Sequence, residues 1–314
     1  MSCCKLPATT REPSAVLCPF LNTQIELVLW TGDLPPHDPW KAKREDMLEN
    51  LRVTSALIRK YFPNATVVPS IGNHEAVPVN RGAFYSVEVA KGFKVISLNT
   101  NLCYLYNWWL LYNSTDPSGQ LQWLADELQR SEDSGEKVYI IGHVAPVKVE
   151  CIPVWADNFR RIVDRYESTI VAQFYGHTHL DHMYLFYRGD GADKDGRRPT
   201  NVAYLAPSVT TFTNSNPAYR VFTVDGGRQS KNASWTLLDH ETYVMDLIES
   251  NKGEKPLWNL VYTAKQHYGL QSLSPSQWHR LAEAFKTNET LFQDYHRSET
   301  PLPTTNTRVI THLN

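Results

Sequence analysis

Residues 169–179 read TIVAQFYGHTH, and this stretch decides how the rest of the chain is interpreted. Residues 169–176 are an apolar run of strand length that ends in a glycine, and His177 and His179 follow within three positions. Alternate residues of an extended chain share one face, so the two imidazoles favour a pair of metal ligands. Taken alone, the motif is equally typical of a turn whose histidines are only hydrogen-bonded.

Three predicted strands upstream end in the same way. They cover residues 24–30, 65–75 and 137–142, and their polar ends are Gly32-Asp33, Gly72-Asn73-His74-Glu75 and Gly142-His143. A glycine before the polar residue allows the tight turn that aims a side chain over the sheet edge. Alone, Asp33 is typical of a helix cap or turn, and His143 of a hydrogen-bonded turn histidine. Four such motifs in succession predict a metal site at the carboxyl edge of an α/β sheet.

The remaining pattern alternates strands with amphipathic helices, as in an α/β fold. Helices are predicted at residues 41–61, 119–131 and 159–167, and strands at 84–88, 93–99, 202–208, 219–225 and 234–247. From residue 255 onward the pattern is helical, including LWNLVYTAKQHYG at 257–269. We expect an irregular segment at 1–26, an α/β domain at 27–250, a helical subdomain at 251–296 and a disordered Pro/Thr-rich tail at 297–314.

Composition restricts the possible partners and the compartment. The net charge of −2 argues against nucleic acid, whose phosphates require a basic face. No apolar run approaches the ~20 residues of a membrane helix, and residues 1–15 do not read as a signal peptide. Four N-x-S/T sequons nevertheless indicate a secreted or lysosomal glycoprotein, with candidate sites at Asn64, Asn113, Asn232 and Asn288. The five cysteines leave at least one thiol unpaired.

The motifs GD, GNHE, GH and GHTH, in this order, resemble the calcineurin-type metallophosphoesterases. The longer stretches STDPSGQLQWLADELQ, YIIGHVAP and LDHETYVMDL resemble the acid sphingomyelinase family, and the resemblance covers roughly residues 27–295. It implies a four-layer α/β/β/α sandwich with a small C-terminal helical lobe and two Zn²⁺ ions. The implied reaction hydrolyses sphingomyelin to ceramide and phosphocholine at a membrane surface. The implied protein is a monomer in the lysosome or outside the cell.

The resemblance also implies a role for individual residues. Asp33 corresponds to the ligand that bridges the two metals, and His179 to a ligand of the first metal. The remaining ligands of the second metal correspond to Asn73, His143 and His177. His74 resembles the residue that protonates the leaving alkoxide, and His37 a histidine that contacts the phosphate. Cys103 and Cys151 lie where the family has a disulfide near the site.

The chain departs from the family at the first metal. The family's first strand ends in D-x-H, whereas residues 1–32 contain neither Asp nor His. The first metal would keep only Asp33 and His179, and two protein ligands rarely hold zinc firmly. We therefore expect an N-terminally truncated member that binds one metal well and the other poorly, with reduced or lost activity. Residues 16–30 are expected to replace the missing strand in part.

Two other functions remain open at this stage. One is hydrolysis of a nucleotide phosphodiester, as in the sphingomyelinase-like relatives, and the missing lipid-presenting saposin-like domain favours it. The other is a catalytically silent protein that binds lipid, metal or a protein partner, which the missing D-x-H motif favours. These possibilities differ in whether residues outside the recognised motifs restore the first metal site.

Overall fold

A computed structural model of the chain describes residues 25–35, 37, 43–75, 82–188, 198–227, 230, 233–253 and 255–299. The strands are β1 Leu27–Trp30, β2 Thr66–Pro69, β3 Tyr85–Ala90, β4 Phe93–Ser97, β5 Lys137–Ile141, β6 Ile170–Tyr175, β7 His182–Tyr187, β8 Pro199–Leu205, β9 Ala218–Val224, β10 Leu237–Met245 and β11 Trp258–Thr263. The helices are α1 Arg44–Tyr61, α2 Gln120–Asp133, α3 Pro153–Arg165, α4 Leu247–Gly253, α5 Ala264–Tyr268, α6 Pro275–Phe285 and α7 Glu289–Glu299.

A six-stranded sheet in the order β3-β4-β5-β6-β8-β7 forms the centre of the protein. The four inner strands are parallel, and β3 and β7 are antiparallel edge strands. Parallel strands covered on both faces need apolar residues at nearly every position, and β5 and β6 read KVYII and IVAQFY. Helices α2 and α3 cover one face, where Leu124, Leu128, Trp155 and Phe159 are fully buried.

Two smaller sheets cover the other face. One is the parallel pair β1-β2, and the other is the antiparallel sheet β11-β10-β9. Trp235 and Leu237 pack against Phe93 and Tyr139 of the large sheet. Outside β1, helix α1 places Ile58 in a cluster with Trp30 and Leu34. The layers are therefore helix, sheet, sheet and helix, which confirms the predicted fold class.

The C-terminal helices pack beside this second layer. Trp278 of α6 is buried, and its Nε1 donates a hydrogen bond to the Tyr204 hydroxyl at 3.0 Å. The helical prediction for residues 257–269 is wrong at its start, since β11 pairs with β10 in antiparallel register. Tertiary pairing overrides the local pattern there. Consequently residues 251–296 are not purely helical.

Other predicted bounds also need correction. Helix α3 begins at Pro153 instead of residue 159, since proline suits the first turn of a helix. Strand β2 ends at Pro69 instead of residue 75, and Asn73–Glu75 form a 3-10 turn. Helix α7 runs to Glu299, so the expected tail begins at least three residues too early. Residues 1–24 and 300–314 lie outside the described residues. None of the described helices combines the length and apolar character that a membrane crossing needs.

Candidate active site

The carboxyl ends of β1, β2, β5 and β6 meet at one corner of the two packed sheets. Asp33 lies three residues after β1, Asn73 opens the 3-10 turn after β2, and His143 and His177 each lie two residues after their strands. Because each of these residues lies only a few positions after the end of its strand, the strand restricts where its side chain can point. The corner therefore collects four polar side chains from parts of the sequence up to 144 positions apart.

The β1 and β2 loops cross in direct backbone contact. Gly32 has a φ of +88°, and a Cβ at Gly72 would overlap the Asp33 side chain. Asp33, His177 and His179 also have positive φ values of 61°, 70° and 62°, which non-glycine residues rarely adopt. Such strained positions concentrate at functional sites, where the surrounding structure over-determines them. Close packing thus holds three predicted ligands in uncommon backbone conformations.

Four potential ligand atoms converge at this corner. His143 Nε2 lies 2.9 Å from both Asp33 Oδ2 and Asn73 Oδ1. His177 Nδ1 lies 3.1 Å from Asn73 Oδ1 and 3.3 Å from His143 Nε2. Asp33 and His143 are buried, with 6% and 3% of their surface exposed. We call Asp33, Asn73, His143 and His177 the ligand cluster.

The chemistry of the ligand cluster fits a divalent cation. His143 Nδ1 lies 2.7 Å from the carbonyl oxygen of Thr31, which can only accept, so Nδ1 carries the ring proton. In the neutral ring, Nε2 then presents a lone pair toward two further acceptors, the oxygens of Asp33 and Asn73. A bound cation would satisfy these facing acceptors, and in its absence a second proton on His143 does so. A carboxylate, an amide oxygen and two imidazoles form a common metal-binding set.

The local electrostatics keep these ligands in the metal-binding form. Burial opposes ionisation of Asp33, but the hydrogen bond and charge of His143 and the backbone N–H of His74 outweigh it. The pKa of the Asp33 carboxyl is therefore well below its usual range. Burial, with the neighbouring His143, lowers the pKa of His177 to about 4. Near pH ~5 the carboxylate is thus ionised and the His177 ring neutral, as metal coordination requires.

A second group of side chains lies beside the ligand cluster. The His37 ring is 4.7 Å from the His74 ring, 5.1 Å from the His179 ring and stacked on Phe212 at 3.7 Å. His74 Nε2 lies 3.8 Å from Asp33 Oδ2, and the His74 backbone N–H donates to Asp33 Oδ1 at 3.0 Å. Burial, then His37, lowers the pKa of His179 to about 4. The structure thus brings the predicted site residues together, while their individual roles stay predictions.

His179 stands apart from the ligand cluster. Within the described part of the chain, the acidic and histidine side chains close enough to share one ion are Asp33, His143 and His177. The nearest rings to His179 are His37 and Phe212, and a phenyl ring offers no ligand atom. The division into one well-formed and one poorly formed metal position stays a prediction.

Glu75 joins the two metal-binding loops, and its role was not predicted from the sequence. Its carboxylate accepts the backbone N–H groups of Asp33 at 3.0 Å, Leu34 at 2.5 Å and Gly72 at 2.7 Å. Burial raises the pKa of Glu75, although the N–H of Leu34 opposes this shift. The GNHE motif marks the position, but only the fold shows that this side chain binds backbone instead of metal.

The Cys103–Cys151 disulfide implied by the family resemblance is present. It connects the segment after β4 to the segment after β5, and the Tyr104 ring lies 5.0 Å from the His177 ring. Glu150, directly before Cys151, places its carboxylate 3.6 Å from His177 Nε2. The disulfide therefore fixes two neighbours of a predicted metal ligand. Cys3, Cys4 and Cys18 lie outside the described residues.

Three of the predicted glycosylation sites are accessible. Asn64, Asn113 and Asn288 are exposed, and Asn232 lies outside the described residues. Exposure is necessary for attachment of a glycan. Glycosylation at all four positions stays a prediction.

Sequence comparisons agree with this geometry. Residues 15–181 match the calcineurin-like phosphoesterase family, and residues 198–301 match the acid sphingomyelin phosphodiesterase C-terminal region. The chain is 41% identical to sphingomyelin phosphodiesterase of Homo sapiens and 40% identical to that of Bos taurus. Each match covers 88% of this chain, which spans about half the length of either relative (49% and 50%).

A relative with a different name is also similar. The chain is 33% identical to cyclic GMP-AMP phosphodiesterase SMPDL3A of Rattus norvegicus, over 84% of this chain and 67% of that protein. Together with the four-layer fold and the ligand cluster, these matches show that the chain belongs to the calcineurin-like phosphoesterase family, in the group that carries the acid sphingomyelin phosphodiesterase C-terminal region.

Proposed function

We propose that this chain is a zinc-dependent phosphodiesterase of the sphingomyelinase type, which hydrolyses sphingomyelin to ceramide and phosphocholine. The observation that carries the proposal is the convergence of four ligand atoms from Asp33, Asn73, His143 and His177. Because the recognised motifs supply only Asp33 and His179 to the first metal position, we also propose that this chain retains weak activity or none.

The ligand cluster would hold Zn²⁺, which when bound lowers the pKa of a water and neutralises charge on phosphoryl oxygens. Asp33 supplies the negative charge, and the Thr31 carbonyl orients His143. His74 is positioned to donate a proton to the leaving oxygen, since its Nδ1 lies 3.3 Å from the Pro35 carbonyl. That contact holds the ring with Nε2 beside Asp33. The proposal includes a lysosomal or extracellular location, as in the family that the sequence resembles.

An exposed aromatic segment favours a lipid substrate. We call residues 105–112 the aromatic rim; Trp108, Trp109 and Tyr112 are 77%, 80% and 89% exposed. Tyr and Trp prefer the boundary between a bilayer and water, because their rings are apolar and carry one polar group. The preceding residue, Tyr104, contacts His177, so the rim lies beside the site. A monomer that rests this rim on a membrane would bring the ligand cluster close to lipid head groups.

A nucleotide phosphodiester is the second candidate substrate. The similarity to a relative named cyclic GMP-AMP phosphodiesterase favours it, as does Phe212, which is half exposed beside the site and offers a stacking surface. Nothing in the net charge favours a long nucleic acid as substrate. A catalytically silent lipid- or partner-binding protein is the third candidate, and the two-ligand first metal position favours it.

The deciding experiment measures phosphocholine release from sphingomyelin micelles at pH ~5 with added zinc. The purified chain is compared with His74→Ala, and cyclic GMP-AMP is tested in parallel. Release that depends on His74 supports the sphingomyelinase assignment and shows that the incomplete first position is tolerated. Hydrolysis of cyclic GMP-AMP alone supports the nucleotide candidate. A folded chain that binds about one zinc ion and hydrolyses neither substrate is a silent member of the family.

A further inference from the structure

The two nitrogens of the His177 ring face different neighbours. Nδ1 lies 3.1 Å from Asn73 Oδ1 and belongs to the ligand cluster. Nε2 lies 3.6 Å from a carboxylate oxygen of Glu150. A neutral imidazole carries one proton, so a ring that binds a cation through Nδ1 has its proton on Nε2. In that state the Nε2–H group of His177 faces the carboxylate of Glu150.

The backbone of Glu150 is held in place on both sides. Its N–H donates to the carbonyl oxygen of Val147 at 3.0 Å, and its carbonyl oxygen accepts the N–H of Leu105 at 3.0 Å. The next residue, Cys151, is bonded to Cys103 through the disulfide. These contacts connect the segment after β5 to the segment after β4. The carboxylate is therefore presented by a segment that is fixed at three points.

Ring packing alone does not determine which way the His177 imidazole is turned. The rings of Tyr104 and His143 lie 5.0 Å and 5.1 Å from it, both edge to face. Half a turn about the Cβ–Cγ bond would put a carbon in the place of Nδ1 and keep the same overall shape. Only a polar neighbour distinguishes the two orientations. Glu150 is such a neighbour, because its carboxylate can accept a proton from Nε2 and not from carbon.

The surroundings of this pair strengthen the contact. The side chains of His177 and Glu150 are only 18% and 22% exposed, so solvent screens their attraction less than it would at the surface. Imidazoles that bind a metal usually donate their other N–H to a carbonyl oxygen or a carboxylate. The Thr31 carbonyl already occupies that place for His143. Glu150 occupies the corresponding place for the second imidazole of the ligand cluster.

We propose that Glu150 is a positioning residue of the metal site, whose carboxylate accepts the Nε2 proton of His177 and so directs Nδ1 toward the cation. The negative charge at Nε2–H also makes Nδ1 a stronger electron donor, which increases the affinity for a cation. A ring bound to a cation is in turn a stronger hydrogen-bond donor, so the 3.6 Å contact should shorten on binding. The inference rests on the proposed metal site and holds for either phosphodiester substrate.

The test measures the zinc affinity of the full chain by titration against a competing chelator. Glu150→Gln keeps the size of the side chain and removes its charge, and we expect zinc affinity to fall at least ~10-fold. Glu136→Gln is the matched control. Glu136 is comparably buried and pairs with Lys94 at 3.1 Å, but it lies directly before β5, at the opposite end of that strand from His143. Its replacement should leave zinc affinity unchanged, and equal losses in both variants overturn the proposal.

A carboxylate near a cation also attracts it through space, so a double variant separates charge from contact. Val149→Glu with Glu150→Gln returns a negative charge to the segment, on a side chain that is exposed to solvent. We expect the zinc affinity of the double variant to stay as low as that of Glu150→Gln. Recovery of the original affinity would assign the effect to charge in general and overturn the positioning role.

A spectroscopic readout needs no variant, so it covers the case in which Glu150→Gln fails to fold. In the zinc-loaded chain, the Nε2 proton of His177 should give a downfield NMR signal that exchanges slowly with water, because a charged acceptor holds it. Rapid exchange of that proton contradicts the proposal.

The outcomes also separate this inference from the proposed function. A chain that binds no zinc, or binds it equally well after His177→Ala, overturns the metal site and the role of Glu150 together. Zinc binding that depends on His177 but is unchanged in Glu150→Gln overturns the role of Glu150 alone. A ~10-fold or larger loss in Glu150→Gln, with the control unchanged, supports both.

Discussion

His143 Nδ1 lies 2.7 Å from the carbonyl oxygen of Thr31, so the loop after β5 is hydrogen-bonded to the loop after β1. This bond determines which ring nitrogen of His143 carries the proton, and it directs the other toward Asp33 and Asn73. A backbone carbonyl cannot be removed by substitution, so the orientation of this ligand depends on the position of β1.

Removal of one imidazole should weaken metal binding sharply. His177→Ala takes away a ligand atom that lies 3.1 Å from Asn73 Oδ1. We expect zinc affinity to fall by at least ~100-fold, since even loss of an outer hydrogen bond to a ligand costs 10–100-fold. Zinc titration with a competing chelator measures this change. His296→Ala, on α7, is the control, and equal affinity in both variants would contradict the ligand assignment.

Glu75 should stabilise the protein by its three backbone contacts. Glu75→Gln keeps the shape of the side chain but removes the charge that accepts N–H groups from Asp33, Leu34 and Gly72. Weakened hydrogen bonds to a partly buried carboxylate should lower the free energy of unfolding by about 1–3 kcal/mol. Urea unfolding of the metal-free protein measures the difference. Glu283→Gln changes a carboxylate on the surface of α6 and is the matched control. An equal, small effect in both variants would show that the three backbone hydrogen bonds of Glu75 do not stabilise the protein.

The aromatic rim should matter for membranes and not for soluble substrates. Trp108→Ser with Trp109→Ser should reduce binding to sphingomyelin vesicles by at least ~10-fold, because two exposed indoles no longer enter the interface. Zinc affinity should not change, since neither side chain reaches the ligand cluster. Vesicle sedimentation measures the binding. The control is Leu260→Ser with Val261→Ser, which removes two exposed apolar side chains from β11. Similar losses in both double variants would refute a specific membrane surface.

Acid should destabilise the metal-free protein partly through His240, in the core of β10. Burial, then the nearby Arg220, holds the pKa of His240 well below its ordinary value of 6.5. The unfolded chain takes up a proton there near pH 6.5 while the folded chain does not, so stability falls as the pH drops below that value.

His240→Phe should therefore lose less stability between pH ~7 and pH ~5 than the unmodified chain. The replacement ring suits the surroundings, where Tyr204, Phe222 and Trp278 lie around His240. Urea unfolding in chelator at both pH values measures the change, and His296→Gln controls for the loss of a histidine. An unaltered pH dependence in His240→Phe would mean that this ring does not contribute.

The sequence by itself determined the fold class and the membership of most of the site. Gly32-Asp33, Gly142-His143 and the GHTH motif each follow an apolar run directly, so the strand and its polar end can both be read from adjacent residues. Such features can be predicted from the sequence, because a strand or a glycine turn depends on a few neighbouring residues.

The tertiary structure decided the features that depend on distant partners. It places His179 beside His37, gives Glu75 a role in binding backbone, and makes β11 a strand where the local pattern predicted a helix. The physical reason is the same in each case. A side chain's partner, or a strand's neighbour, is set by packing between segments that lie far apart in the chain, and no local periodicity encodes that choice.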